Sequence, residues 1–195
     1  MEIILGSQSP RRRDILNFFS LPFRQVASDF DETQVLFEGN PAAYAIEMAR
    51  RKAKSLRERF PREVILTADT VVFLHGRLFN KPETLEEAHA MLRELAGKEH
   101  HVFTGVCVAQ GKELFSEAEE SLVEIHQLTE NQIRTYHKHI TPLDKAGGFA
   151  VQNGACLIVK RIEGCYYNIM GLPLQTVHSL LLKAGIDLWD YLKSV

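Results

Sequence analysis

Short apolar runs alternate with stretches of helical periodicity along the whole chain. Glu2 to Leu5 reads as a buried strand ended by Gly6, and Phe23 to Ala27 as a second strand. Between them, Ser9 as a hydroxyl N-cap and Pro10 at the first helical position open a helix whose apolar face is Ile15, Leu16 and Phe19. Residues 28–40 carry acids and Gly39-Asn40-Pro41, so they read as a loop. Pro41 to Phe60 is a long helix with Ile46, Ala49, Ala53, Leu56 and Phe60 at helical spacing, stopped by Pro61. Val64 to Ala68 suits a central strand, which Val71 to Leu74 continues after Asp69-Thr70. Leu85 to Leu95 is a helix ended by Gly97. His101 to Ala109 and Glu113 to Ile125 form a long hairpin through Gly111. Thr129 caps a further helix, and Gly147-Gly148 and Asn153-Gly154 punctuate a loop-rich stretch. Cys156 to Ile162 reads as a strand, Gly164 as a turn, Ile169-Met170 as the end of another strand, and Pro173 to about Ala184 as a final helix closed by Gly185. Strands separated by helices place the chain in the α/β class, and the hairpin makes the sheet mixed. With no repeat and no linker, a single domain over residues 1–195 is expected.

Composition narrows the function classes. Apolar residues are 45% and charged residues 25%, ordinary globular values that exclude a disordered or collagen-like chain. The net charge of −2 argues against tight binding to bulk nucleic acid, which rests on many phosphate contacts. Three cysteines without Cys-x-x-Cys spacing argue against a disulfide framework or zinc site and fit a reducing, cytoplasmic setting. Cys107 and Cys156 read as core packing. No apolar run approaches the roughly 20 residues that span a bilayer, so no membrane partner is expected.

Five segments carry candidate chemistry. Gly6-Ser7-Gln8-Ser9-Pro10-Arg11-Arg12-Arg13 runs from a strand into a helix start, where backbone N–H groups and the helix dipole suit an anion. Arginines in a first turn oppose that dipole, which suggests an arriving polyanion; a solvated arginine cluster is the plainer reading. Arg11 and Arg12 lie four before Ile15 and Leu16 and lean toward the core, whereas Arg13 aligns with Asn17 and faces solvent. Asp69 interrupts an apolar run and must meet a cation, a metal or water at a strand end: a general base or metal ligand, or a structural cap. Lys52 on the long helix and Lys81 in the proline-organised loop Phe79-Asn80-Lys81-Pro82-Glu83 read singly as surface lysines. Asp29-Phe30-Asp31-Glu32 is a solvated acidic turn, or beside phosphates a place for Mg²⁺. Paired glycines in Asp144-Lys145-Ala146-Gly147-Gly148-Phe149-Ala150-Val151-Gln152 suit either a plain turn or close approach to a ligand, with Gln152 reading a base edge.

Together these segments resemble the Maf-type nucleoside triphosphate pyrophosphatases over nearly the whole chain. The resemblance rests on Ser7-x-Ser9-Pro10-Arg11-Arg12, Ala49-x-x-Lys52-Ala53, Ala68-Asp69-Thr70, Lys81-Pro82, His101-x-x-Thr104-Gly105, Asp144-Lys145-Ala146-Gly147, Gln152, and Gly164-Cys165-Tyr166-Tyr167-Asn168 leading to Gly171-Leu172-Pro173. It implies an elongated mixed β-sheet flanked by helices, with two lobes around a central cleft. It also implies hydrolysis of a nucleoside triphosphate to the monophosphate and pyrophosphate. Asp69 would be the catalytic base. Ser7, Ser9, Arg11, Arg12, Lys52 and Lys81 would bind substrate, and Glu32 with Asp69 would hold Mg²⁺ or Mn²⁺. Arg11, Thr70 and Gln152 match the branch that takes dTTP and UTP, and a homodimer is expected. Phe149 and Cys165 depart from the Tyr and Ser frequent at those places. The alternative is a regulatory nucleotide-binding protein that affects cell division without significant turnover.

Overall fold

A computed structural model describes residues 2–193. Its framework is one seven-stranded sheet in the order β2-β1-β3-β5-β6-β7, with β4 paired to β3. The strands are β1 (Ile3–Gly6), β2 (Phe23–Val26), β3 (Val64–Leu74), β4 (Arg77–Phe79), β5 (Glu99–Gln110), β6 (Glu113–Ile125) and β7 (Val159–Gly164). β1 lies parallel to both β2 and β3, whereas every later pairing is antiparallel. The mixed α/β sheet expected from the sequence is therefore present. Its helices are α1 (Pro10–Leu16), α2 (Pro41–Arg59), α3 (Leu85–Leu95), α4 (Glu130–His139), α5 (Tyr166–Ile169) and α6 (Leu174–Lys183).

The central feature is a mismatch of strand lengths. β1 pairs with β3 only as far as Gly6 opposite Thr67, yet β3 runs on for seven more residues. Beyond Thr67, β5 continues to hold β3 on the other side, with Asp69 opposite Gly105 and Thr70 opposite Thr104. Asp69 is thus internal to an unbroken eleven-residue strand and not at a strand end, as its charge in an apolar run had suggested. It lies where the neighbour on one side stops, so the chain of β3 meets open space there.

Apolar burial divides around the same point. Val64, Leu66 and Ala68 of β3 join Ile3, Leu5, α1 and α6 in one core. Val72 and Leu74 join Leu92 and Leu95 of α3 and Ile133 of α4 in another. Asp69 and Thr70 fall between the two, which gives the two-lobed layout. Ile3, Ile4 and Leu5 are all inaccessible to solvent, and each such burial contributes about 1.5–3 kcal/mol. α2 lies on the opposite face and presses directly on β5: a Cβ at Gly105 would collide with the Ala45 backbone.

Several local expectations change. Ser9 occupies the N-cap position of α1, but its side chain makes no capping bond; its own N–H donates to Ser7 Oγ at 3.1 Å. α1 ends at Leu16, and Phe19 instead bridges to Leu192. Residues 153–158 form a 3₁₀ helix, so the strand expected from Cys156 begins only at Val159, and Cys156 is exposed, not packed in a core. Ile169 ends the short helix α5 and not a strand. No helix among the described residues is long and apolar enough to cross a membrane.

Candidate active site

Where β1 stops short, a cleft of about 390 Å³ opens, lined among others by Ser7, Arg12, Lys52, Asp69, Lys81 and Gln152. That volume lies in the range of small-molecule sites. Ser9, Arg11, Glu32 and Thr70 also line it, so every residue to which the resemblance assigns a catalytic, substrate, metal or specificity role lines one cavity. Side chains alternate across a strand, so Asp69 and Thr70 leave β3 toward opposite faces.

On the α2 face the site is built from charge. Lys52, one turn beyond Met48 on α2, is buried and places Nζ 2.6 Å from Asp69 Oδ1 and 2.7 Å from Glu32 Oε1. Glu32 comes from the 3₁₀ helix Glu32–Gln34 in the acidic loop. That loop sorts its carboxylates by task. Asp31 caps the turn, accepting from Thr33 N at 3.0 Å and Thr33 Oγ1 at 2.7 Å, and Asp29 pairs with Arg59 at 2.8 Å. Glu32 alone of these faces the cleft. Burial works to raise its carboxyl, but the Lys52 ammonium, then Lys81 and Arg12, outweigh burial and hold it below the usual carboxylate range.

On the α1 face the site is built from saturated hydrogen bonds. Arg12 Nε donates to Gly171 O at 2.7 Å, Nη1 to Ala68 O at 2.8 Å and Ser7 Oγ at 3.3 Å, and Nη2 to Thr70 Oγ1 at 3.0 Å. Four of the five guanidinium N–H groups are so engaged, leaving one for a ligand. Burial brings the Arg12 group down to about 10, and the Asp69 charge partly opposes the fall. The chain continues inward. Thr104 Oγ1 gives its proton to Asn168 O at 2.9 Å, so at 2.9 Å from Thr70 Oγ1 it accepts, and Thr70 donates. Asn168 then anchors to Val102 O and Ser121 Oγ at 3.0 and 2.9 Å. Arg11 crosses the cleft to Asp144, with Nη1 3.1 Å from Oδ2 and Nη2 3.2 Å from the carbonyl. Arg13 stays outside, paired with Asp14 at 3.1 Å.

The arginines set against the α1 dipole thus have partners of their own: Asp144 for Arg11 and a ring of neutral oxygens for Arg12. Thr104 and Asn168 had no role in the sequence reading. The signal for Thr104 was the same as for Asp69, a polar residue inside an apolar run, Val102 to Val106. Tyr44 was also passed over. Burial first, then the Asp69 and Glu32 carboxylates, push its hydroxyl above the ordinary value. At the far end, Gln152 Oε1 is buried without a partner among the described residues. Gln152 and Lys145 also line a second, larger hollow against α4, so they form part of the wall between the two cavities.

Glu32 and Asp69 form a pair, and no group of three or more His, Cys, Asp or Glu able to hold a metal occurs among the described residues. A pair of carboxylates completed by substrate oxygens and water is the set that Mg²⁺ takes in phosphate sites, so the donors present fit a hard divalent ion.

Residues 2–184 match the family described as Maf-like protein. The dTTP/UTP pyrophosphatase of Chlamydia caviae is 45% identical over 192 residues, 98% of each chain. That of Chlamydia trachomatis serovar D is 42% identical over 191 residues, 97% of each chain. The nucleoside triphosphate pyrophosphatase of Chlamydia muridarum is 42% identical over 192 residues, again 98% of each. The cleft where β1 stops and the family match over almost the same residues lead to one conclusion: this chain belongs to the Maf family.

Proposed function

We propose that this chain hydrolyses dTTP and UTP to the monophosphate and pyrophosphate in the cleft beside β3. The observation that carries the reading is Asp69: a carboxylate only 8% exposed, bonded to a buried ammonium, in a cavity lined by Arg11, Arg12 and Lys81. A triphosphate needs cations along its length and a base near the α-phosphorus, and this cavity offers both. With no substrate bound, Lys52 bonds Asp69 Oδ1 and Oδ2 is free to take the water. That water gives a proton to Asp69, its oxygen bonds the α-phosphorus, and the bond to the bridging oxygen breaks, so pyrophosphate leaves with the electron pair. Lys52 and Lys81 offset charge on the phosphates. Arg12 keeps Thr70 and the Ser7 turn in place and offers its last N–H to the substrate. A divalent cation on Glu32 and Asp69 would supply further charge neutralisation on the phosphate oxygens.

Gln152 serves the pyrimidine. Its amide both donates and accepts, matching the N3–H and adjacent carbonyl of uracil or thymine. The test is pyrophosphate release across a panel of nucleoside triphosphates with and without Mg²⁺ or Mn²⁺. The expected result is release from dTTP and UTP above all others, and Gln152→Glu is expected to cut the pyrimidine-to-purine ratio of kcat/KM by about tenfold, one lost hydrogen-bond match. Binding of dTTP without pyrophosphate release would overturn the reading.

A further inference from the structure

Lys52 touches both carboxylates of the charged group with one nitrogen, at 2.6 and 2.7 Å. Its side chain is only 9% exposed, so its ammonium depends on those two counter-charges. A divalent ion bridging Glu32 and Asp69 would draw on the same negative charge and repel the ammonium beside it. We propose that Lys52 and the divalent cation compete for the Glu32–Asp69 pair, so that the metal enters only as the triphosphate takes over the ammonium. The proposal rests on the reading of Glu32 and Asp69 as the metal-holding residues.

The physical logic is one of charge balance in a closed site. A metal arriving alone takes the carboxylates and strands Lys52 without a counter-ion. A triphosphate arriving alone meets a lysine already engaged and two carboxylates that repel it. When the two arrive together, the phosphates hold the ammonium and the carboxylates hold the metal, and every charge keeps an opposite neighbour. Metal and triphosphate therefore bind with positive coupling, each raising the affinity for the other. The exchange asks only side chains to change partners. Lysine carries a point charge on a flexible four-carbon stem, and Glu32 belongs to a loop. Asp69 is held inside β3, and the backbone of α2 is seated against Gly105.

Calorimetric titration with Mn²⁺ in the absence of nucleotide tests the exchange. Lys52→Met is expected to bind Mn²⁺ at least about tenfold more tightly than the wild-type protein, the gain of 1.4 kcal/mol that a released contact gives. Lys81→Met removes the same charge from the cleft but acts on Glu32 through space, and is expected to gain less than about threefold, by ordinary distance dependence. Unchanged or weaker Mn²⁺ binding in Lys52→Met, or an equal gain in Lys81→Met, would overturn the proposal. A crystal of the wild-type protein with Mn²⁺ and the α,β-methylene analogue of UTP gives an independent reading if Lys52→Met does not fold. Lys52 Nζ is expected more than about 3.5 Å from both carboxylates and against a phosphate oxygen; Nζ still bonded to both carboxylates refutes the exchange. If the wild-type protein takes up no Mn²⁺ even with the analogue bound, the metal reading of Glu32 and Asp69 fails first, and the exchange falls with it.

Discussion

Asp69 and Thr70 are neighbours in sequence, yet they belong to two unlike environments. On the α2 face, Asp69 joins Lys52 and Glu32 in a cluster of three formal charges, each held by another charge. On the α1 face, Thr70 joins Arg12, Thr104 and Asn168 in a ladder where one cation is satisfied by neutral oxygens. Ion pairs exchange partners readily, because a carboxylate accepts any cation. A guanidinium fork with four of its N–H groups on fixed acceptors does not, because each bond has its own direction. The first face is suited to handle substrate, and the second to hold the cleft in shape. Arg12 ties the turn after β1 and the uncovered start of β3, at Ser7 and Ala68, to the turn between α5 and α6 at Gly171.

This contrast can be broken at either face. Asp69→Asn carries the largest expected effect: a loss of about 10²–10⁴-fold in kcat, the range of a missing general base, with a stability loss smaller than the roughly 3–5 kcal/mol of an orphaned buried charge, because Lys52 keeps Glu32 and an amide oxygen as acceptors. Urea unfolding and steady-state kinetics on the same preparation separate the two numbers. Arg12→Ala is expected to lower both together. It leaves Ala68 O and Gly171 O without a donor, costing about 2–3 kcal/mol of stability, and kcat/KM falls by a similar free energy. An Arg12→Ala protein with wild-type stability would mean that Arg12 is a substrate group only. Thr104→Val cuts the ladder one step further from substrate. A loss of about 1 kcal/mol in stability and a kcat/KM drop of less than about tenfold are expected, measured in the same two assays. Arg13→Ala, on the solvent side, changes stability by less than about 0.5 kcal/mol and leaves kinetics unaltered.

The charged face was legible in the sequence to a greater degree than the ladder. A carboxylate inside Val64 to Leu74 signals a compensated charge, and cations on a capped turn and a long helix supply it. What the sequence did not carry was position. Asp69 was expected at a strand end, because the energetic penalty of a charge within a strand is visible locally and its remedy is not. The remedy is Lys52 on α2, 17 residues earlier, together with β5, which pairs Ile65 to Phe73 without interruption. Residues 165–170 show the converse failure. Ile169-Met170 looks like strand because short apolar runs fit either state. The turn of helix there is fixed by Asn168, whose bonds to Val102 and Ser121 come from distant strands. The hairpin β5–β6 and helix α3 needed no such help. Their turn and cap residues, Gly111 and Gly97, stand beside the elements they end, both with positive φ.

The shortness of β1 has one more effect. A strand that outruns its neighbour bares backbone groups along an edge, and bare edges invite pairing with other chains and, from there, aggregation. Beyond Thr67 the edge of β3 is in that condition, and the Ala68 carbonyl is the first group past the last rung of β1. Arg12 Nη1 takes that carbonyl at 2.8 Å, and further on β4 pairs with Val72 to Leu74. The stretch left between these two guards is Asp69 to Val71, so the part of the edge left unguarded is the part that carries Asp69 itself.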